Sequence, residues 1–259
     1  MYNVLFFLTI ALFTSSCIGG EDESTSNESL LDIGFLEEKS REFSDKVDAM
    51  DIFKSNSGKH YGIDVSHWQG NILKDLSKRD SLRFIICKAT EGDYYVDPDF
   101  RNNWNEIKAR GLIRGTYHFY MCADDPLDQA NHFTTTIADI TSTDIAPILD
   151  IEQGSMTPDV SGDQMVKDIL IFLKAVEHKL NRKPIIYTDY IFAQQYFKNP
   201  ELSKYDLWLA EWESEVSPRL PDVWEKKGYK IWQKSASYDA YSKVLDLDEY
   251  SGLLRDIVD

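Results

Sequence analysis

Pro147-Ile148-Leu149-Asp150-Ile151-Glu152 is the stretch on which the reading of this 259-residue chain turns. An apolar lead-in rich in branched residues predicts a strand, and that strand ends in two carboxylates separated by one isoleucine. Alternate strand residues share a face, so Asp150 and Glu152 are expected to point the same way. At roughly 3.3 Å rise per residue their Cα atoms lie about 7 Å apart. Two carboxyls so placed do not ionise independently, and a proton retained at neutral pH is what general acid catalysis needs. A strand-end Asp-x-Glu also serves as a solvated loop start or half of a cation site, so the rest of the chain has to choose between these readings.

At 259 residues the chain has room for one large α/β domain with an appendage or for two small domains, and hydrophobic content of 42% with aromatic content of 13% is enough for a sizeable core. The formal charge is −16, and from Glu21 to Asp51 eleven acidic residues stand against three basic ones. Nucleic acid and anionic membrane surfaces are therefore poor partners, because phosphate binding needs a basic face. Three cysteines, Cys17, Cys87 and Cys122, form neither a disulfide framework nor a metal-ligand spacing, although a Cys87–Cys122 bond is left open. The apolar run Val4–Phe13 is as long as a signal-peptide core and too short to span a bilayer as a helix. Thr14-Ser15-Ser16-Cys17 after it resembles the lipobox of bacterial lipoproteins, with Cys17 as the lipidated residue. The acidic cluster Glu21-Asp22-Glu23 is similar to an export tag of some Gram-negative outer-membrane lipoproteins. The expected organisation is a signal peptide over 1–17, an acidic linker and helical stalk over 18–58, and a domain over 59–259. The expected address is the cell envelope, at the outer membrane and surface-exposed.

From His60 onward short apolar strands alternate with helical stretches, which argues for parallel β/α units. Strands are predicted at Tyr61–Val65, Arg83–Ala89, Gly115–Tyr120, Pro147–Glu152, Pro184–Tyr187, Leu207–Ala210, Tyr229–Trp232 and around Val244–Asp246. Helices are predicted from about Asp99 to Arg110, closed by Gly111, from Pro126, and from Ser161 to Leu180. Eight strands in about 200 residues make a compact α/β fold, a modified TIM-like (β/α) barrel. In such a barrel the reacting groups gather at the C-terminal strand ends. Asp64, Tyr117, His118, Asp150, Glu152, Tyr187, Trp232 and Asp246 all fall at predicted ends.

The order of motifs resembles the glycoside hydrolase family 25 lysozymes. Gly62-Ile-Asp-Val-Ser-His-Trp-Gln-Gly70 resembles that family's opening strand and turn, and Phe84–Gly92 its second strand. Tyr95–Phe100, Gly115–Phe119 and Pro147–Glu152 are similar to the segments that follow, Leu207–Ala210 and Trp232-Gln233 to late strands, and Leu245-Asp246-Leu247 to the last. The likeness runs from about His60 to Tyr250. Asp248 departs from it, standing where Asn is common, and Glu211-Trp212 stands where Gln-Tyr is frequent; both are expected at the rim of the site.

The resemblance implies hydrolysis of the β-1,4 bond between N-acetylmuramic acid and N-acetylglucosamine in peptidoglycan, without a cofactor or metal. Glu152 is the expected general acid, because a charge on Asp150 would hold its proton. Asp150 is the expected ionised partner, stabilising the cation, attacking as nucleophile or positioning the substrate's 2-acetamido group; exchange of the two roles stays open. Asp64 and Asp246 are expected to orient the sugar or tune the pair. Tyr117, Tyr187 and Trp232 are expected to bind substrate, Trp232 by stacking. His118 is read as an interior histidine, and Lys88 and Glu91 as a supporting pair. The expected partners are glycan strands and, through the anchor alone, the membrane; the protein is read as a monomer. The competing reading is a surface lipoprotein that binds peptidoglycan or another glycan with little or no turnover.

Overall fold

The structure is a computed structural model that describes residues 57–76, 81–240 and 243–259. The expected signal peptide with Cys17, and the linker and stalk up to residue 56, lie outside the described residues.

Among the described residues nine strands form one sheet, and eight of them close into a barrel. In chain order they are β1 (Gly58–Val65), β2 (Leu82–Glu91), β3 (Tyr95–Val96), β4 (Ile113–Phe119), β5 (Ile148–Asp150), β6 (Ile185–Asp189), β7 (Asp206–Ala210), β8 (Ile231–Ala240) and β9 (Lys243–Gly252). β3 is a short hairpin partner of β2 and stands outside the closed ring. β1 pairs with β2 in parallel and with β9 antiparallel, which closes the ring. The helices are α1 (Ile72–Asp75), α2 (Phe100–Ala109), α3 (Pro126–Thr136), α4 (Gly162–Leu180) and α5 (Tyr190–Tyr196).

The predicted helices start and stop where their capping residues stand. Asp125 accepts hydrogen bonds from the amides of Leu127 and Asp128, with Pro126 at the first turn of α3. Ser161 caps α4, and Asn181 ends it in the left-handed conformation at φ 49°. Gly111, at φ +69°, turns the chain after α2. The expectation of parallel units throughout holds only as far as β8. Between β7 and β8 there is a single turn of 3-10 helix, Asp222–Trp224, and β8 returns through a hairpin to an antiparallel β9. The physical reason is length: the link from β8 to β9 is far shorter than the dozen or more residues a parallel crossover needs.

Alternation along the strands splits the core in two. Outward residues such as Ile63, Ile85, Leu149, Ile186, Leu207 and Leu209 pack with the helices. Inward residues fill the lower barrel with Phe84, Ile86, Ile113, Ile148, Ile185, Ile231 and Tyr250, and Leu254, Ile257 and Val258 join this cluster from the C-terminal segment. Gly62 must lack a side chain, because a Cβ there would lie 2.3 Å from the Phe84 ring. Further up, the same inward face turns polar: Asp64, Lys88, Tyr117, Asp150, Tyr187, Gln233 and Asp246 line an open cavity. Apolar floor and polar mouth are thus built by one side of the same strands.

Candidate active site

The cavity at the C-terminal end of the parallel strands holds about 240 Å³. Asp64 enters from β1, where it is paired across the sheet with Asp246 of β9. Asp246 was expected at a strand end; it lies within β9 and reaches the mouth because β9 runs backwards. Gln233 on β8 ties the far wall together: its Nε2 donates to Asp64 Oδ2 at 2.8 Å, while Tyr187 Oη donates to its Oε1 at 3.0 Å. Burial and the Asp246 charge push the Asp64 carboxyl up to about 8, against the hydrogen bond from Gln233. Burial also raises Asp246.

Asp150 closes β5 and is only 7% exposed, with Oδ1 buried and without a hydrogen-bond partner. Burial first, and the Glu152 charge second, hold its carboxyl well above the usual range; Lys88 opposes them. Glu152 sits two residues beyond the strand, half-buried, where its backbone amide donates to Ser155 Oγ at 3.2 Å. Its carboxyl is raised by burial and then by Asp189, with Lys88 again opposing. The pair therefore differs from the sequence expectation. Asp150, read as the ionised member, is the more deeply buried of the two, and the neighbour that raises Glu152 most is Asp189. Gly154 leaves room for the acid, since a Cβ there would lie 3.3 Å from Glu152 Oε1. Lys88, itself buried, is paired with Glu91 at 2.5 Å and lies 4.9 Å from the centre of the Phe119 ring.

Tyr117 and Tyr187 line the cavity as expected of substrate-binding residues. Trp232 does not. It is wholly buried on the outer face of β8, its indole N–H donates to the Glu211 carbonyl at 2.7 Å, and Lys234 Nζ lies 4.6 Å from the ring centre. A ring with no accessible face cannot stack on a sugar. The indoles that do line the cavity are Trp208, whose N–H donates to Asp248 Oδ1 at 2.8 Å, and Trp68, 81% exposed. Trp68 rides on an anchored turn: the neighbouring His67 bonds Asp97 Oδ2 through both its amide and Nδ1, at 3.0 and 2.7 Å. Its signal in the sequence was an apolar ring inside a turn of polar residues, a place where burial is not the reason for an aromatic. Asp248, expected at the rim, is wholly buried. Burial and Asp64 raise it strongly, and its Oδ2 has no partner.

His118 points away from the cavity, stacked on Phe172 and bonded to Thr90 and Gln129. Burial lowers it to about 3, which keeps it neutral. Cys87 and Cys122 are both free and buried, so the bond left open between them is not formed. Among the described residues no group of three His, Cys, Asp or Glu is arranged to hold a metal ion.

A second hollow of about 320 Å³ adjoins the first and shares Glu152 and Tyr187 with it. Together they form a groove with carboxyls at its centre and an exposed tryptophan on either side, Trp68 in one hollow and Trp212 in the other.

Paired carboxyls in a groove at the open end of a β/α barrel are the arrangement that glycoside hydrolysis requires, and similarity to known proteins places the chain in that class. The chain belongs to the glycosyl hydrolases family 25, whose family model matches residues 63–242. It is 31% identical over 204 residues to the uncharacterized protein YegX of Escherichia coli strain K12, a match covering 76% of this chain and 71% of that one. It is 32% identical over 184 residues to Lysozyme M1 of Streptomyces globisporus, covering 68% of this chain and 62% of that protein. Among solved structures, a muramidase from Trichobolus zukalii superposes with a TM-score of 0.66 at 31% identity, over 77% of this chain and 97% of that one.

Proposed function

We propose that this glycosidase hydrolyses the β-1,4 bond between N-acetylmuramic acid and N-acetylglucosamine in peptidoglycan, with Glu152 as the general acid. The observation that carries the reading is the position of Glu152. It is the one carboxyl that borders both hollows, so a bond crossing from one to the other passes its side chain.

Glu152 donates its proton to the glycosidic oxygen, and the C1–O electron pair leaves with that oxygen. The sugar left in the cavity develops oxocarbenium character above Asp150, Asp64 and Asp246. Asp150 and Glu152 titrate as a pair, and the developing cation decides which of them keeps the proton. Positive charge over the cavity favours ionised Asp150, whose side chain lines it, and leaves the proton on Glu152. Water completes hydrolysis and returns a proton to the Glu152 carboxylate. Tyr187 and Gln233 fix Asp64 in place for the bound sugar. Lipidation at Cys17 would hold the enzyme at the outer membrane; Cys17→Ala, followed by fractionation, should then move it from the membrane to the soluble pool.

The test is muropeptide release from purified sacculi by residues 24–259, beside a Glu152→Gln variant. The parent should liberate muramic-acid reducing ends, and the variant should be slower by roughly 10²–10⁴-fold. Equal release by both would overturn the role of Glu152. A parent that binds sacculi and releases nothing would make the glycan-binding reading the better one.

A further inference from the structure

The bond proposed above fixes which sugar sits among the cavity carboxyls. Cleavage leaves a muramic-acid reducing end, so the ring that becomes the cation is N-acetylmuramic acid. Its lactyl group hangs from C3, two ring atoms from the reacting C1. In intact peptidoglycan the lactyl carbonyl is an amide to the stem peptide and carries no charge. Once that amide is hydrolysed, the lactyl group is a carboxylate.

The groove is poorly made for such an anion. Asp64, Asp150, Glu152 and Asp246 line the cavity, and the one cation among its lining residues, Lys88, is buried and paired with Glu91 at 2.5 Å. The cation of the second hollow, Arg219, is held by Glu211 at 2.8 Å and Glu213 at 2.7 Å. Segments 92–99, 120–125, 151–161 and 211–221 follow the C-terminal ends of β2, β4, β5 and β7. Together they hold ten acidic residues and a single basic one, Arg219.

We infer that the enzyme selects muramic acid whose lactyl group is amide-linked and discriminates against the free lactyl carboxylate. It therefore acts before, and not after, any amide hydrolysis that strips the stem peptide from the glycan; a reaction of that class consumes its products and does not supply its substrate. The inference deepens the proposed cleavage and rests on it. A lactyl carboxylate weakens the reaction in two ways. Like charges repel it from whichever cavity carboxyls are ionised. Where it binds nonetheless, it holds protons on Asp64, Asp150 and Asp246, and so withdraws the negative charge that the developing cation needs. The loss falls on kcat as well as KM.

The experiment compares two tetrasaccharides of alternating N-acetylglucosamine and N-acetylmuramic acid without stem peptides. One carries free lactyl carboxylates and the other lactyl methylamides, so they differ in charge and little in size. At neutral pH and low salt the parent should cleave the amide with a kcat/KM about tenfold higher, and calorimetry on the Glu152→Gln protein should show the amide binding more tightly. Added salt should shrink the preference, because the groove is open to solvent. Glu91→Gln, which leaves Lys88 to meet the anion, should bring the two substrates to within about threefold of each other. Equal kcat/KM for the two, or a preference that neither salt nor Glu91→Gln reduces, would overturn the inference. If the parent cleaves neither tetrasaccharide, the two affinities of the Glu152→Gln protein decide the matter in the same way. Muramic-acid release from sacculi by the parent, measured alongside, shows separately whether the underlying reading stands.

Discussion

Two groups of buried charge sit on opposite faces of the same barrel wall and are treated in opposite ways. On the outer face of β4, Arg114 and Asp144 are both buried, and every strong interaction is filled. Arg114 Nε and Nη2 bond the two oxygens of Asp144 at 2.7 and 3.2 Å, and Nη1 donates to the Trp104 carbonyl at 3.2 Å. The Trp104 ring lies 3.7 Å away, and the Thr141 amide also donates to Asp144. On the inner face, Asp64, Asp150, Asp246 and Asp248 are crowded together, two of them with an oxygen that has no partner. Burial pushes the inner set up towards its protonated forms. Charge used to hold the fold is neutralised on the spot; charge used on a substrate is left unmet until one arrives.

That contrast can be broken at either end. Asp144→Ala should be the most damaging, because it strands Arg114 without a counter-charge; a loss of about 3–5 kcal/mol is expected in urea unfolding. A loss under 1 kcal/mol would show that the outer pair is not structural. Asp248→Asn should act in the other direction. A carboxyl whose proton is bound more tightly in the folded than in the unfolded state loses stability as pH rises from its unfolded value near 4 towards its folded one. The amide keeps an acceptor for Trp208 and removes that loss. The variant and parent should therefore melt together near pH 4, and the variant should gain at least ~1.4 kcal/mol by pH 8. A constant difference across pH would refute the account of the inner set. Smallest, Trp232→Phe should cost about 1 kcal/mol through its lost bond to Glu211 and leave KM on glycan strands unchanged. A raised KM would return Trp232 to the substrate.

Much of the barrel was legible because its strands carry motif and punctuation together: branched apolar runs, a carboxylate or aromatic at the end, and caps such as Asp125, Ser161 and Gly111. Asp64, Asp150, Glu152, Tyr117 and Tyr187, all at predicted strand ends, line one cavity in the structure. The errors have a common origin. Strands buried on both faces show no alternation, so Ile231-Trp232-Gln233 and Leu207-Trp208-Leu209 do not reveal which member looks inward. Without that phase nothing in the sequence shows that Gln233 and Trp208 look inward and Trp232 outward. The β8–β9 hairpin was hidden by its polarity: Lys234 to Ser242 looks like a loop, so the reversal of β9 and the inward turn of Asp248 were not visible. The second hollow depends on residues from Glu152 to Arg219 meeting in space, which no local pattern encodes.

The pairing of β1 with β9 also sets when the enzyme can come into being. Asp64 and Asp246 are neighbours across the last seam of the barrel, yet they come from its first and final strands. Contacts so distant along the chain form late, after the entropy of closing nearly the whole domain has been met. A ribosome-bound fragment lacking β9 would hold Asp150, Glu152 and a full helical layer without the wall that completes the cavity. Appearance of hydrolytic turnover during synthesis or refolding would therefore time the closing of the seam, and the wall-cutting capacity of the chain would arrive only once β9 has been made and has docked on β1.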